Sequence, residues 1–373
     1  MSGVRGRFYY RLTPTPGPRP LIPIMKVLVI GGTGYIGSHT VEELVRRGHD
    51  VSVFARGQKR PPLPEGVAFI EGDRHNTEDI ARARALRFDA VIDINAYMRE
   101  ETQAMIQSFD GLLSRFVHLS TVSVCQLTTD LPFNESDPLV TDPNNSYGYN
   151  KAECERALRW AHAKSGFPFV SVRPTVVFGP RDDKSRENYY LKRIVAADPI
   201  IVPDSGATPI HAIFVKDLAA VLANALTAES VAGCAYHLAQ PELVSINDHI
   251  ANIARLAGVE ADIAHIPHTL LERLGFNLRH FPYITGDRLV VLNTSAARKD
   301  LSFTPTPYAR ALRETVEHFI ERGSESQKSI EDYFPPVMPR SRERALIDRY
   351  RAELCELEDR LTDEWLNEAL PEV

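Results

Sequence analysis

The amino-acid sequence predicts an α/β fold with a doubly wound parallel sheet and a smaller C-terminal lobe. Strand-like apolar runs alternate with helix-like segments up to about residue 172, and after Gly179 proline-rich and polar stretches separate short helices. Such alternation builds a parallel sheet with helices on both faces, because each crossover between parallel strands uses a helix. The change of pattern near Gly179 predicts a lobe packed over the strand ends. The predicted strands are residues 26–30, 51–55, 67–70, 90–94, 116–120 and 169–172.

The chain of 373 residues has room for two domains and shorter terminal segments. We assign residues 25–180, with parts of 210–240, to the sheet domain and residues 181–321 to a substrate-binding lobe. Residues 1–24 are basic and proline-rich, which predicts a mobile tail. Residues 322–373 are predicted to be a helical extension. Its segment 341–370 reads as one helix, either docked on the body or binding a partner.

The most informative motif is GGTGYIG at residues 31–37, which follows the apolar run VLVI. Gly31 permits a tight turn, Gly34 lets backbone approach a pyrophosphate, and Gly37 lets the following helix pack closely on the strand. We predict that this helix covers residues 39–47, with an N-terminus that offers free N–H groups and a positive dipole end to an anion. The motif therefore predicts a Rossmann-type dinucleotide site.

Composition and charge narrow the function classes. A net charge of −6, 43% hydrophobic residues and 25% charged residues are typical of a soluble enzyme and give no general attraction to nucleic acid or anionic membranes. The cysteines and histidines lack metal-ligand spacing, so we predict no metal. Scattered cysteines without a secretory segment or a membrane-spanning run predict a cytoplasmic protein with reduced thiols.

The segment Ser146-Tyr-Gly-Tyr-Asn-Lys151 begins a predicted helix that runs to about residue 164. Tyr147 and Lys151 are four residues apart and therefore share one face of that helix. An ammonium beside a phenol should lower the tyrosine's pKa from about 10 and make it a usable proton donor or acceptor. Tyr149 should point elsewhere.

Hydroxyl side chains follow the predicted strand 116–120, in the sequence STVS. They could hydrogen-bond a substrate oxygen beside the tyrosine, or they could only cap the strand. Combined with the glycine turn and the Tyr/Lys helix, they point to hydride transfer, in which a nicotinamide carries the hydride and the tyrosine carries the proton.

These motifs resemble the extended short-chain dehydrogenases/reductases, of the NAD-dependent epimerase/dehydratase family. The resemblance covers residues 26–320 and is closest to a divergent branch similar to the chloroplast stem-loop-binding proteins. It implies Tyr147, Lys151 and Thr121 as catalytic residues and a homodimer. We predict Ser123, Arg186 and His211 as substrate-binding residues. The motifs are GGTGYIG, GDR at 72–74, LSTVSV at 119–124, YGYNK at 147–151, RPTVVFGP at 173–180 and FVKDLA at 214–219.

The residues and the resemblance together define a predicted cofactor site. Ala55 ends the second predicted strand, where NAD-specific folds place an acid, and Arg56-Gly-Gln-Lys-Arg60 follows. The missing carboxylate and the cations favour the 2′-phosphate of NADP, with NAD as the alternative. The predicted cofactor-binding residues are Gly31, Thr33, Gly34, Tyr35, Ile36, Gly37, Arg56, Asp73, Arg74, Asn95, Ala96, Lys151, Pro174 and Val177.

Three departures from the family pattern bear on the substrate. Val122 and Ser123 stand where dehydratases of the family carry acids, so sugar dehydration loses its acid and base. His211 stands where epimerases of nucleotide sugars usually have an arginine, and the segment 283–287 lacks a second one. Both arginines would neutralise a diphosphate, a role that Arg181, Arg186 or Arg288 would have to fill.

Two hypotheses follow from the sequence. The first is an oxidoreductase or epimerase that moves a hydride to or from a carbinol of a sugar-like or nucleotide-sugar small molecule. The second is a catalytically reduced NAD(P)-binding protein with an RNA- or protein-binding role. The intact Tyr147/Lys151 pair favours the first, and the net negative charge argues against a nucleic-acid partner.

Overall fold

The structure, a computed structural model, describes residues 23–58, 61–182, 186–276, 281–283, 289–323, 327–332, 334 and 336–369. Most of the predicted tail, residues 1–22, lies outside the described residues. The elements of the main sheet and its helices are β1 (Lys26–Ile30), α1 (Tyr35–Arg46), β2 (Asp50–Ala55), β3 (Ala68–Glu71), α2 (Thr77–Ala85), β4 (Ala90–Asp93), α3 (Arg99–Phe109), β5 (Arg115–Leu119), α4 (Ser146–Ser165), β6 (Phe169–Pro174), α6 (Val215–Thr227) and β11 (Cys234–Leu238).

Seven parallel strands form the main sheet, in the order β11-β6-β5-β4-β1-β2-β3. On one side of β1 the chain adds β2 and then β3, and on the other side of β1 it adds β4, β5, β6 and β11. This confirms the predicted doubly wound sheet. The reversal leaves a crevice between β1 and β4 at the carboxyl edge, which is where ligands bind in such sheets.

The sheet is buried on both faces because its strands alternate between two cores. On β1, Val27 and Val29 face a core shared with α1 and α6, whereas Leu28 and Ile30 face a core shared with α2, α3 and α4. Successive side chains of a strand point to opposite faces, so a continuous apolar run fills both cores.

The remaining elements build the smaller lobe and the extension. Tyr189, Leu191 and Ile194 of the first lobe helix share a core with two later helices that carry Ile250 and Leu312. The elements are β7 (Val176–Phe178), α5 (Arg186–Val195), β8 (Ile200–Pro203), β9 (Pro209–Ile210), β10 (Ala212–Phe214), β12 (Val244–Ser245), α7 (Ile246–Ala257), β13 (Ile263–Ile266), α8 (His268–Arg273), α9 (Ser295–Asp300), α10 (Tyr308–Arg322) and α11 (Arg340–Ala369).

Two boundaries differ informatively from the predictions. Helix α1 begins at Tyr35, four residues before the predicted start, because Gly34 is its N-cap residue. The N-terminus of α1 therefore lies inside the glycine motif itself. Residues Ala297, Leu301 and Phe303, which the sequence places in the substrate lobe, pack in the core of the sheet domain with α6 and β11.

Candidate active site

A cleft of about 740 Å³ lies at the carboxyl ends of β1, β2, β4, β5 and β6. The glycine loop forms one wall, and the ends of β5 and β6 with the start of α4 form another. Every residue predicted from the sequence to bind the cofactor lines this cleft, as do Thr121 and Tyr147. The hydroxyl segment also contributes Ser120, and the lining residues that sequence reasoning did not single out include His75, Tyr97, Glu101, Thr175 and Asp182.

The glycine loop has the geometry that its sequence predicts. Gly31 has a φ of +82°, in the left-handed region that favours glycine. A Cβ at Gly37 would lie 2.2 Å from the Gly31 carbonyl oxygen, so the start of α1 packs directly on the turn. A Cβ at Gly34 would meet nothing closer than 3.6 Å, since this glycine faces open space at the N-terminus of α1. The loop thus leaves room for an anionic group beside free helix N–H groups.

Lys151 is buried beneath the cleft, with a relative exposure of 3%. Its ammonium donates hydrogen bonds to the Leu119 carbonyl at the end of β5 (2.5 Å) and to the Ala96 carbonyl after β4 (2.7 Å). Burial lowers the pKa of Lys151, which the nearby acidic groups only partly offset. The side chain therefore ties α4 to the ends of two sheet strands.

Tyr147 lies one helical turn before Lys151, at the mouth of the cleft, and is about half exposed. Its pKa is raised above 10 by burial first and by Tyr97 second, while a contact with Thr121 acts in the opposite direction. The expectation of a lowered pKa is therefore wrong for this arrangement. The reason is that the Lys151 ammonium is held by backbone carbonyls and not beside the phenol.

Sequence reasoning missed His118, which is fully buried on β5. Its Nε2 lies 3.4 Å from the Lys151 ammonium. Burial, and then the charge of Lys151, lower the pKa of His118 to about 3, so the ring is neutral and Nε2 can accept from the ammonium. Because successive side chains of β5 point to opposite faces of the sheet, the sequence could have placed His118 on the face that α4 covers.

Arg74 does not reach into the cleft as a free cation. It forms two hydrogen bonds to Asp93 at the end of β4 (2.8 and 2.9 Å) and a third to the Asn95 side chain (2.9 Å), and both Arg74 and Asp93 are buried. Although burial alone would raise it, the pKa of Asp93 is lowered by Arg74. This pair fixes Asn95 against the turn at Gly31.

The far end of the cleft, beyond β2 and β3, carries Arg56, Asp73 and His75. The Asp73 carboxylate accepts hydrogen bonds from the backbone N–H of His75 and pairs with its ring Nδ1, both at 2.9 Å. These bonds, and to a lesser extent the charge of Arg56, lower the pKa of Asp73. Arg56 is exposed at this end. Lys59 and Arg60 lie outside the described residues.

A second buried ion pair supports the wall of the cleft. Glu155 of α4 accepts hydrogen bonds from Arg173 of β6 (2.6 and 2.8 Å) and from the Ser120 hydroxyl (2.6 Å). Both charged side chains are inaccessible to solvent. Burial would raise the pKa of Glu155, but Arg173 and then Ser120 hold it at about 2. Pro174, which follows Arg173, is thereby fixed at the cleft.

The three residues expected to bind substrate are not among the described residues that line the cleft. His211 is committed to backbone, because Nε2 bonds the Gln240 carbonyl (2.6 Å) and Nδ1 accepts from the Leu292 N–H (3.1 Å). We therefore withdraw His211 as a substrate ligand. Ser123 contacts the Thr121 hydroxyl at 3.3 Å, and Nε of Arg186 donates to the Pro282 carbonyl at 2.6 Å.

Arg181 and Arg288 are the other arginines predicted from the sequence as alternatives for binding a diphosphate. Arg181 forms two hydrogen bonds with Glu42 (2.5 and 2.7 Å) and one with Nδ1 of His39 (2.9 Å). It joins α1 to the segment after β7, and these bonds use three of its five N–H donors. Arg288 lies outside the described residues.

The described residues contain no group of three or more His, Cys, Asp and Glu side chains arranged to hold a metal ion. Cys125 lies 3.5 Å from Nε2 of His237, but burial raises the pKa of the thiol to about 11, which is unsuited to a nucleophile. Within the described ranges, every helix is too short or too polar to cross a bilayer.

Comparison with known proteins identifies the family. The profile of the NAD-dependent epimerase/dehydratase family matches residues 27–239, which run from β1 to the end of β11. The chain belongs to this family. The match includes the glycine turn, the Tyr147/Lys151 helix and the Arg173-Pro174 strand, so the motif-based resemblance is confirmed.

Among curated members similar to the chain is the chloroplast stem-loop binding protein of 41 kDa b of Arabidopsis thaliana, 28% identical over 64% of the chain and 65% of its own length. A UDP-glucose 4-epimerase of Lactobacillus helveticus is 31% identical over 43% of the chain and 54% of its own length. The matched part thus spans less than two thirds of these relatives.

The fold is shared with solved members of the family. A UDP-glucuronic acid 4-epimerase from Bacillus cereus, solved in complex with UDP-glucuronic acid and NAD, superposes with a TM-score of 0.66 at 20% identity. The superposition covers 80% of this chain and 100% of the epimerase. At this identity the similarity establishes the fold alone.

Proposed function

We propose that the protein is an NADP(H)-dependent oxidoreductase or epimerase that moves a hydride to or from a carbinol of a sugar-like or nucleotide-sugar molecule. The observation that carries the proposal is that Tyr147, Thr121 and buried Lys151 line the same cleft as the glycine turn. The named substrates of the epimerase relatives support the substrate class.

The cleft fits a dinucleotide by its own geometry. The open space at Gly34, next to the N-terminus of α1, suits a pyrophosphate. The Tyr35 hydroxyl lies beside Gly179 and is buried without a hydrogen-bond partner among the described residues. The glycine loop would hold the phosphates, Asp73 and Arg56 the adenosine end, and Lys151, Pro174 and Val177 the nicotinamide end. When bound, the nicotinamide would supply the hydride acceptor or donor.

The chain's own residues would handle the proton and the substrate's orientation. The Tyr147 phenol would exchange a proton with the carbinol oxygen, and the Thr121 hydroxyl beside it would hydrogen-bond the same oxygen. A raised phenol pKa keeps Tyr147 protonated at neutral pH, which is the state needed for reduction of a carbonyl. In the opposite direction the phenol must first lose its proton, toward which the contact with Thr121 acts by lowering its pKa.

The proton role of Tyr147 is tested by replacing the hydroxyl alone. With UDP-glucose, UDP-glucuronic acid and a panel of sugars as probes, Tyr147→Phe should lower turnover at least 100-fold and leave the dissociation constant of NADPH within twofold. Tyr149→Phe, two positions along α4, is the matched control and should behave as wild type. Undiminished turnover by Tyr147→Phe would refute the proposed proton carrier.

The preference for NADP is tested at Arg56, the described cation at the end of β2. Arg56→Ala should weaken NADPH binding at least tenfold and NADH binding less than twofold, measured by fluorescence titration. Arg46→Ala, an exposed arginine of α1 that pairs with Glu43, should change neither. Equal losses for both cofactors would remove the 2′-phosphate assignment and favour NAD.

A second candidate function is RNA binding by a catalytically reduced protein, which the similarity to the stem-loop binding protein supports. Electrophoretic shift assays with a stem-loop RNA at physiological salt would separate the two. Tight RNA binding with no turnover on any probe would favour this candidate. Retention of the cofactor through purification would instead favour an epimerase, and exchange with free NADPH would favour a reductase.

A further inference from the structure

Tyr97 presents a largely exposed aromatic ring inside the cleft, close to Tyr147. It lies in the segment between β4 and α3, lines the cleft and is 55% exposed. The centroid of its ring lies 6.2 Å from that of the Tyr147 ring, at an interplanar angle of 49°. Pockets for small molecules are lined by aromatic side chains together with a few polar groups. The Tyr97 ring is therefore an apolar surface that a bound molecule would cover.

The backbone of Tyr97 is held on both sides, although its ring is exposed. The Ala96 carbonyl accepts a hydrogen bond from Nζ of Lys151 (2.7 Å), and the Tyr97 N–H donates to Oε2 of Glu101 (2.6 Å). Glu101 is itself buried in the first turn of α3. Nζ of Lys151 also lies 6.0 Å from the centre of the Tyr97 ring, within the range of a cation–π contact. The ring is thus positioned in advance, which lowers the entropy cost of binding through it.

The segment after β4 crosses the cleft from the side proposed for the cofactor to the side proposed for the substrate. Asn95 lies against the turn at Gly31, on the cofactor side. Tyr97, two residues later, lies beside Tyr147, the proposed proton carrier. A molecule in contact with the Tyr97 ring would therefore lie next to the Tyr147 phenol, where the substrate carbinol has to be.

We propose that the sugar ring of the substrate stacks on Tyr97, and that this sugar is a pyranose with one face made only of axial C–H bonds. The proposal rests on the proposed function and adds the residue that orients the sugar. The face of an aromatic ring carries partial negative charge, so it attracts the C–H bonds that neighbouring oxygens polarise. An axial hydroxyl on the same face would hold the two rings apart and lose its own hydration.

Stacking on Tyr97 complements the polar groups at this end of the cleft. The hydroxyls of Tyr147 and Thr121 can bond the carbinol oxygen, but two hydroxyls on one oxygen leave the sugar free to rotate about it. A sugar ring lying flat on Tyr97 loses that rotation and keeps its carbinol beside the two hydroxyls. Tyr97 would thus determine which pyranoses bind, while Tyr147 exchanges the proton.

Steady-state kinetics test the stacking contact on whichever of UDP-glucose, UDP-glucuronic acid and glucose the wild type turns over. Tyr97→Ala should raise KM at least tenfold and lower kcat less than fivefold, because the ring binds the sugar and exchanges no proton. Tyr97→Phe keeps the ring and should stay within threefold of wild type in both constants. The dissociation constant of NADPH should stay within twofold in both variants. An unchanged KM in Tyr97→Ala, or a loss of NADPH affinity in place of the KM effect, would overturn the proposal.

Met98→Ala is the matched control. Met98 follows Tyr97 directly and is 45% exposed, but it is not among the described residues that line the cleft. Its loss should leave KM within twofold of wild type. A rise in KM equal to that of Tyr97→Ala would show that any change in this segment disturbs binding, which would refute a role specific to the aromatic ring.

Saturation-transfer NMR separates this proposal from the proposed function, because it needs no turnover. Methyl β-glucopyranoside has a face of axial C–H bonds alone, and methyl β-allopyranoside differs from it only by one axial hydroxyl on that face. With NADP⁺ present, wild type and Tyr97→Phe should saturate the axial protons of the glucoside, whereas Tyr97→Ala should not, and the alloside should receive at least fivefold less saturation.

The outcomes distinguish the two claims. Saturation of the glucoside that depends on Tyr97, without turnover of any probe, would refute hydride transfer and support the stacking contact. Turnover with equal saturation of both glycosides would support hydride transfer and overturn the stacking contact. A wild type that saturates neither glycoside would also overturn it.

Discussion

Arg74 and Asp93 form a buried ion pair that joins the loop after β3 to the end of β4, with hydrogen bonds of 2.8 and 2.9 Å. The same guanidinium bonds the Asn95 side chain, which lies against Gly31. Through Arg74, the motif GDR at residues 72–74 therefore supports the residues that form the floor of the cleft. It stabilises the strand ends on which the glycine turn and the carbonyl of Ala96 are placed.

Removal of the Arg74 guanidinium should lower both the free energy of unfolding and the affinity for the cofactor. Arg74→Met leaves the carboxylate of Asp93 buried without its partner, which should lower the free energy of unfolding by about 3–5 kcal/mol in urea titrations. The double variant Arg74→Met/Asp93→Leu removes both charges and should recover more than half of that loss. If the double variant is no more stable than Arg74→Met, the cost does not come from the unpaired carboxylate.

Substitutions at two glycines of the same loop should distinguish an effect on folding from an effect on NADPH binding. Gly37→Ala places a methyl group 2.2 Å from the Gly31 carbonyl oxygen and should destabilise the protein in thermal melts. Gly34→Ala meets nothing closer than 3.6 Å and should melt within about 2 °C of wild type. Because the added methyl occupies the space proposed for the pyrophosphate, Gly34→Ala should weaken NADPH binding at least tenfold. Normal NADPH affinity in Gly34→Ala would place the phosphates elsewhere.

His118 should set the charge state of Lys151. The neutral imidazole accepts from the ammonium at 3.4 Å, so its loss disfavours the charged lysine and should lower the pKa of Lys151 further. In His118→Phe, NADPH affinity should therefore fall at a lower pH than in wild type when titrated between about pH 7 and pH 10. His118→Gln keeps an acceptor and should restore the wild-type profile. Superimposable profiles for all three proteins would exclude this role.

Buried neutral histidines should make the fold sensitive to mild acid. Burial lowers the pKa of His39 and His237 to about 4 and that of His118 to about 3, below the ordinary 6.5. The unfolded chain binds these protons first, so the stabilisation is complete above pH 6.5 and is lost as the pH falls toward 4. Each imidazole contributes a slope of about 1.4 kcal/mol per pH unit in that window.

The acid sensitivity is measured by urea unfolding at intervals between pH 7 and pH 5. Wild type should lose stability steadily below pH 6.5, and His237→Leu should show a slope smaller by about one proton. A free energy of unfolding that stays constant from pH 7 to pH 5 would mean that these imidazoles titrate alike in both states.

The sequence by itself determined the sheet, the glycine turn and the Tyr147/Lys151 helix, because each is encoded over a few consecutive residues. Alternating apolar runs specify strands, and spacings of three and four place side chains on one helix face. Since all strands of a parallel sheet end at one edge, even the gathering of Gly31, Asn95, Thr121 and Pro174 around one cleft follows from the order of elements.

Only the tertiary structure decided which side chains are free to act. Arg74 pairs with Asp93, Arg173 with Glu155 and His211 with backbone, and Lys151 is held by carbonyls of Ala96 and Leu119 in place of the predicted contact with the phenol. These partners lie 18 to 81 residues apart in the chain. A buried charge takes whichever partner the fold brings within about 3 Å, and the balance between that partner and desolvation then sets its pKa. That choice is made by packing between distant segments, which no local pattern encodes.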